Sequence, residues 1–143
     1  MSKNVYSEIN LHFVWHTKYN RPLISETIEP GLWRFIKSYS LKTGGLIFHE
    51  VGGIEDHVHI AVTIPPTLTI SEWIGMVKGA SSHYVNHELV NRKVLDWQRG
   101  YGVVSFGTKD LPWVINYIRN QKEHHAKGTI VERLERITND DDC

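Results

Sequence analysis

The sequence contains a single cysteine, Cys143, at its C-terminal end. One thiol cannot form an internal disulfide framework or a cysteine-based metal cage, which favours a reducing setting. Long hydrophobic runs are also lacking. The longest uncharged apolar-rich stretch, 60–71, carries two prolines and is far shorter than the roughly 20 residues of a membrane span. The first residues do not resemble a secretory signal. We therefore expect a soluble, cytoplasmic protein with no membrane partner.

Net charge is also lacking, because 16 basic residues balance 16 acidic ones. The distribution is uneven: residues 1–128 carry +3 and residues 129–143 carry −3. A surplus this small does not by itself predict a nucleic-acid partner. The length of 143 residues, 41% of them hydrophobic, predicts one globular domain. We place this domain at 1–128, followed by a short helical or disordered acidic tail at 129–143.

Periodicity predicts alternating strands and helices. Apolar residues at every second position within 6–17, from Ile9 to Trp15, predict a first strand buried on one side. Helical spacing predicts a first helix over about 26–42. The rest of the pattern predicts strands 46–51 and 57–64 paired as a hairpin, a helix over about 71–89, a strand within 94–106, and a last helix from Asp110 to Gly128.

The predicted order, β-α-β-β-α-β, is the ferredoxin-like plan with one additional C-terminal helix. The fold class is therefore α+β, with an antiparallel sheet. This plan places helices on one face of the sheet and leaves the other face open for a ligand, a substrate or a partner subunit.

Two histidines, His57 and His59, alternate with apolar residues in the predicted third strand. Alternation places both on one face, about 7 Å apart at Cα from a rise of about 3.4 Å per residue. Their ring nitrogens can therefore share one metal ion at about 2.1 Å. Two ligands do not make a tight site, and a pair of hydrogen-bonded surface histidines would give the same pattern.

A second candidate group lies on the last helix, where Trp113, Tyr117 and Gln121 are spaced by four and form one stripe. Tyr117 carries a nucleophilic hydroxyl, and Gln121 offers a carbonyl oxygen suited to Mg²⁺ or Mn²⁺. A tyrosine that simply packs in the core would also fit. Taken with the histidine pair, however, a metal beside a phenol suits attack on a phosphodiester.

Five fragments carry a family resemblance: 12–19 with Arg21-Pro22, 56–60, 78–82, 97–101 and 117–121. In this order they resemble the single-tyrosine HUH transposases. That family includes the small insertion-sequence transposases that move single-stranded DNA, and their relatives associated with repetitive extragenic palindromes.

The resemblance implies a transposase that cleaves and rejoins single-stranded DNA at hairpin-marked ends through a 5′-phosphotyrosine. Carried onto this chain, it implies Tyr117 as the catalytic nucleophile, with His57, His59 and Gln121 as ligands of Mg²⁺ or Mn²⁺. Three further residues, His124, His125 and Glu50, could replace or supplement Gln121. The resemblance also implies a homodimer joined at sheet edges, and it leaves open whether the Tyr117 helix acts in cis or in trans.

Contacts to DNA are inferred mainly from the same resemblance. The candidates for phosphate contact are Lys18, Arg21, Lys78, Arg99, Arg119 and Lys122. Each could equally be a solvated charge, and aromatic groups nearby could stack on unpaired bases. Two of these aromatics, Trp97 and Tyr101, are expected to be packed instead.

Two other functions remain open. One is a non-catalytic DNA-hairpin binding protein derived from such a transposase, although the ligands and the nucleophile are all present. The other is an unrelated metal or nucleotide hydrolase that uses a histidine triplet on a strand. That site would need a third histidine at position 61, where the sequence has Ala61.

Overall fold

Strands and helices follow the predicted order in the computed structural model, which describes residues 4–137. The elements are β1 (Ile9–His16), α1 (Glu29–Leu41), β2 (Ile47–Ile54), β3 (His57–Ile64), α2 (Ile70–Tyr84), β4 (Gly102–Ser105), α3 (Leu111–Arg119), α4 (Gln121–Lys127) and α5 (Glu132–Glu135). The strands form one sheet in the order β2-β3-β1-β4, and every neighbouring pair is antiparallel. The α+β, ferredoxin-like prediction is confirmed.

The main core lies between the sheet and the helices α1 and α2. Because side chains alternate along a strand, one set from β1 and β3 faces these helices. The buried members of this core include Leu11, Phe13, Trp15, Val58, Ile60, Val62, Leu32, Ile36, Trp73, Ile74 and Val77. Burial of this apolar surface is the main stabilising contribution to the fold.

The opposite face of the sheet is not open, which corrects the prediction. Helix α3 packs on it, and Ala61, Val114 and Ile118 form a second, smaller cluster there. The central strand β1 is consequently buried on both faces, not on one. The sequence predicted helices on one side only, because the polar residues of the second face resemble a solvated surface.

Two elements depart furthest from their predicted bounds. Strand β4 covers only Gly102–Ser105 of the predicted 94–106, since Trp97 makes an isolated bridge to Thr17. The predicted last helix divides into α3 and α4 at Asn120, whose φ of −107° and ψ of 31° are not helical. Asparagine competes for backbone hydrogen bonds and is a weak helix former. Gly128 ends α4 in the left-handed conformation, with φ 68°, as glycine commonly does.

The segment after Gly128 includes the short helix α5, and its Leu134 is buried. This segment belongs to the acidic tail of the sequence prediction. The aspartate run at 140–142 lies outside the described residues. Within residues 4–137, every helix is too short or too polar to cross a membrane.

Helix α3 approaches the sheet closely at Gly52. A Cβ atom at Gly52 would lie 2.5 Å from the backbone carbonyl oxygen of Ile118. Gly52 also pairs with His59 in the sheet. Because Gly52 has no side chain, α3 can lie close to β2, next to the strand β3 that carries the histidines.

We predict that Gly52→Ala destabilises the protein by about 1–3 kcal/mol, because the new methyl group meets backbone that cannot rotate away. Equilibrium denaturation measures the change. The matched control is Gly79→Ala in α2, where the added Cβ has no heavy atom within 4 Å. This control should stabilise the protein by about 0.5–1 kcal/mol. Equal stability of the two variants would contradict the close approach.

Candidate metal and tyrosine site

The predicted histidine pair lies on the sheet face that α3 and α4 cover. His57 and His59 are both buried, and their ring centroids are 4.9 Å apart. They share this face because Val58 and Ile60 point into the opposite core.

Each imidazole is oriented by a hydrogen bond at its Nδ1 atom. His57 Nδ1 bonds to Asp56 Oδ1 at 2.7 Å, and His59 Nδ1 bonds to His12 Nε2 at 2.8 Å. Both Nε2 atoms therefore remain directed toward the helices. Such outer contacts commonly fix the ring orientation of metal-binding histidines. His12 was not among the site residues predicted from the sequence, although its place on the polar side of the first strand was the available signal.

Gln121 lies beside the pair at the start of α4. Its Oε1 atom is 3.1 Å from His57 Nε2 and 3.1 Å from His125 Nε2. The side chain is buried, and its amide donates to the Tyr117 carbonyl oxygen at 3.3 Å. The structure thus brings Gln121 together with His57 and His59, and adds His125.

Glu135 also belongs to this cluster and was not predicted from the sequence. Its Oε1 atom lies 3.4 Å from His57 Nε2 and 3.2 Å from His59 Nε2. Its Oε2 atom lies 3.6 Å from His125 Nε2. No motif connects Glu135 to the histidine pair, because it lies in the tail and reaches the site only through the docking of α5.

The side chains present fit a metal ion. One ligand atom from each of His57, His59, His125 and Glu135 lies within 4.8 Å of the others. Among the described residues, the buried Nε2 of His59 has no hydrogen-bond partner, since the nearby Glu135 oxygen does not meet hydrogen-bond geometry. A buried polar atom in this state costs free energy, and a cation would satisfy it.

Tyr117 lies next to this group and is only 2% exposed. Its hydroxyl donates to Glu135 Oε2 and accepts from the Val131 backbone N–H at 3.0 Å. The Tyr117 ring meets the His59 ring edge-on, with centroids 5.9 Å apart. Trp113, the third member of the predicted stripe, stacks on Tyr117 at 5.7 Å and stays half exposed.

Burial and charge shift the protonation equilibria of the group. Burial raises the pKa of Tyr117 to about 12, with help from the Glu135 hydrogen bond. Burial lowers the pKa of His59 to about 4. For Glu135, burial acts in the opposite sense, but contacts with His59 and Tyr117 prevail and lower its pKa to about 2. Near neutral pH the site therefore contains a neutral His59, an ionised Glu135 and a protonated phenol.

The three alternative metal ligands predicted from the sequence lie in different places. His125 joins the cluster. His124 instead contacts Thr129 Oγ1 at 2.9 Å and packs against the Tyr117 ring. Glu50 binds Arg119, with Oε2 2.8 Å from the guanidinium Nη2. Among these three, only His125 is placed to supplement Gln121.

Four of the predicted DNA contacts lie on exposed or partly exposed surface near the site. Lys18 and Arg21 flank the ring of Tyr19, with the ammonium 5.5 Å and the guanidinium 5.7 Å from its centroid. Tyr19 is 71% exposed. Arg119 pairs with Glu50 as described, and Lys122 pairs with Glu29 at 3.1 Å.

Lys78 has a structural role, which corrects its prediction as a DNA contact. It is 8% exposed, and its ammonium donates to the carbonyl oxygens of Gln98, Arg99 and Gly100. This cation holds the loop before β4 and is not available to phosphates. The Arg99 side chain, in the same loop, is exposed.

The two aromatic residues near this loop are packed, as predicted. The indole N–H of Trp97 donates to the Lys78 carbonyl oxygen at 3.0 Å, and Tyr101 packs against the core.

We expect Tyr117 in the metal-free protein to ionise at about pH 12. The tyrosinate absorbance lost in Tyr117→Phe isolates this group during alkaline titration. Glu135→Gln should move its titration to lower pH, because the neighbouring carboxylate disfavours phenolate. Glu132→Gln, the same change on the exposed side of α5, should leave it in place. An unchanged titration in Glu135→Gln would contradict the contact.

Comparison with known proteins agrees with this architecture. The family described as "Transposase IS200 like" matches residues 5–121. The chain is 32% identical over 78 residues to the transposase of insertion sequence IS200 from Salmonella typhimurium, covering 51% of each protein. It therefore spans about half the length of this relative. It is also 22% identical over 122 residues to the ISDra2 transposase TnpA of Deinococcus radiodurans, covering 81% of this chain and 86% of that one.

Two solved structures share the fold. A transposase structure from Deinococcus radiodurans R1 has a TM-score of 0.65 at 20% identity, covering 85% of this chain and 96% of that one. A REP-associated tyrosine transposase bound to a REP hairpin has a TM-score of 0.59 at 16% identity, covering 91% and 76%. At these identities the likeness concerns the fold alone. The match over residues 5–121 goes further and shows that the chain belongs to the IS200-like transposase family.

Proposed function

We propose that the protein cleaves and rejoins single-stranded DNA at hairpin-marked ends, with Tyr117 as the nucleophile. One observation carries this proposal: the Glu135 carboxylate contacts the Tyr117 hydroxyl and also the Nε2 atoms of His57 and His59. The phenol and the histidine pair, which are far apart in sequence, therefore belong to one site. The IS200-like family and the hairpin bound by one fold relative support DNA as the partner.

His57, His59 and Gln121 would hold a divalent cation, Mg²⁺ or Mn²⁺. Such an ion, when bound, polarises a phosphoryl oxygen and neutralises the charge that develops in the transition state. The protein supplies the ligand atoms in the form that binds a metal ion. Its neutral His59, whose pKa burial lowers to about 4, needs no deprotonation near neutral pH.

In the cleavage step, the Tyr117 oxygen forms a bond to phosphorus and the bond to the 3′ oxygen breaks. The products are a 5′-phosphotyrosine and a free 3′ hydroxyl. With a pKa of about 12, the phenol must lose its proton as it attacks. In the closed arrangement Glu135 Oε2 accepts the hydrogen bond of this hydroxyl. Once α5 is displaced, water accepts the phenol proton and supplies the proton of the 3′ hydroxyl. Because the phosphotyrosine keeps the energy of the broken bond, another hydroxyl can reseal the strand.

Access to Tyr117 requires movement of the segment after Gly128. The hydroxyl is engaged by Val131 and Glu135, and the side chain is 2% exposed. A phosphodiester cannot reach a hydroxyl covered in this way. DNA binding must therefore displace α5 from the Tyr117 hydroxyl before the attack.

The surface around Tyr19 suits an unpaired DNA strand. An exposed ring between Lys18 and Arg21 offers base stacking and phosphate contact together. His16, two residues before Lys18, stacks on His57 with ring centroids 4.9 Å apart, so this surface borders the site. On the other side, Arg119 and Lys122 form exposed ion pairs, which are worth about 0–1 kcal/mol each and can be exchanged for phosphates.

We expect a covalent protein–DNA adduct when the protein is incubated with Mg²⁺ or Mn²⁺ and hairpin-ended single-stranded DNA. Tyr117→Phe should abolish the adduct, because it removes the attacking oxygen and keeps the ring. Denaturing gel electrophoresis measures it. The matched control is Tyr84→Phe, which makes the same change on the α1–α2 side, where Tyr84 stacks on Phe35.

An adduct that survives Tyr117→Phe would overturn the assignment of the nucleophile. Tight hairpin binding without cleavage, with both metals and with correct element ends, would instead favour the non-catalytic binding protein. The hydrolase alternative would need a third histidine on the strand at position 61, where Ala61 packs with Val114 and Ile118.

We further propose a homodimer joined at sheet edges, with Tyr117 acting in cis. Strand β4 is an edge of the sheet, and pairing would cover it. The 5.9 Å separation of the His59 and Tyr117 rings within one chain supports the cis arrangement.

Mixing His57→Ala protein with Tyr117→Phe protein tests this arrangement. In cis, each subunit of the mixed dimer lacks one essential group, so cleavage should not recover. Adduct formation is again the readout, and size-exclusion chromatography with light scattering measures the dimer. Recovery of adduct in the mixture would show that the tyrosine acts in trans.

A further inference from the structure

We propose that Glu135 and His125 are also metal donors, so that five side chains can surround one first-row transition-metal dication. This inference extends the proposed three-residue metal site. It adds a carboxylate from the C-terminal segment, in which the sequence pattern indicated no ligand.

The distances between donor atoms carry the inference. When four ligand atoms each lie about 2.1 Å from an ion in a tetrahedron, they are about 3.4 Å from one another. At the same distance from the ion, neighbouring ligand atoms of an octahedron are about 3.0 Å apart. The contacts of Glu135 with the three imidazoles measure 3.2, 3.4 and 3.6 Å. Gln121 Oε1 is 3.1 Å from two of them. The contacts of Glu135 Oε1 and of Gln121 Oε1 match these spacings, so these donors can share one ion with the imidazoles.

The orientation of His57 favours a cation at the centre. His57 Nδ1 faces the Asp56 carboxylate at 2.7 Å. Nε2 of the same ring therefore points at the oxygens of Gln121 and Glu135. A metal ion at this point would coordinate Nε2 and both oxygens together.

The docking of α5 places Glu135 in the cluster. Leu134 is buried, while Glu132 and Arg133 are exposed. Glu132 instead pairs with Arg136 at 2.9 Å on the outer side. Of the two carboxylates on this helix, only Glu135 therefore points into the site.

The donor set selects the class of ion. Three imidazole nitrogens suit first-row transition metals, whereas Mg²⁺ prefers oxygen ligands and keeps several waters. The carboxylate and the amide oxygen add hard donors that Mn²⁺ accepts. We therefore expect Mn²⁺ to bind more tightly than Mg²⁺.

Isothermal titration of the full chain with MnCl₂ tests the proposal without DNA. Glu135→Gln keeps the size of the side chain but removes its charge, and it should weaken Mn²⁺ binding by about 10- to 100-fold or more. His125→Gln should also weaken it. The matched control, Glu132→Gln, should bind like the wild type. Circular dichroism and thermal unfolding establish that the variants are folded.

Hydrogen exchange provides a second readout. If Glu135 binds the ion, Mn²⁺ should slow amide exchange in residues 131–136 of the wild type but not of Glu135→Gln, because ion binding and docking of α5 are then linked. A merely structural role of Glu135 would not produce this metal dependence.

The outcomes separate this inference from the proposed function. If Glu135→Gln binds Mn²⁺ as tightly as Glu132→Gln, while His57→Ala loses binding, Glu135 is not a ligand and the three-residue site stands. If His57→Ala also binds normally, the metal site of the proposed function fails as well. Equal affinity of the wild type for Mg²⁺ and Mn²⁺ would overturn the choice of ion.

Discussion

The burial of two imidazoles on one face of the sheet is the constraint on which the site depends. Each buried ring has two nitrogens that need partners. Asp56 binds Nδ1 of His57, and His12 binds Nδ1 of His59. The remaining two nitrogens face the same space. The rest of the second layer, from α3 to α5, is arranged around that space.

Small residues on the sheet make this arrangement possible. Gly52 admits the backbone of α3 at a distance where no side chain would fit, and Ala61 lets Val114 and Ile118 pack directly on β3. As a result, α3 brings Tyr117 to the edge of His59. The break at Asn120 then starts a new helix with Gln121 and His125 beside His57.

The pKa shifts of the site residues follow from the same burial. Burial keeps His59 neutral, with a pKa of about 4, and keeps Tyr117 protonated, with a pKa of about 12. Glu135 nevertheless stays ionised because its contacts prevail over its burial. An anionic carboxylate beside the neutral His59 and a phenol is an environment that attracts a cation. In the proposed five-donor site, the docked position of α5 and the binding of an ion are linked through Glu135.

Local spacing along the chain was enough to predict the order of the strands and helices, the shared face of His57 and His59, and the stripe from Trp113 to Gln121, because strand and helix geometry fixes which neighbouring residues share a face. Three other features became visible in the folded chain alone: Lys78 binds backbone carbonyls, His12 orients His59, and Glu135 enters the site. These contacts join residues distant along the chain, and their partners depend on how the helices dock on the sheet.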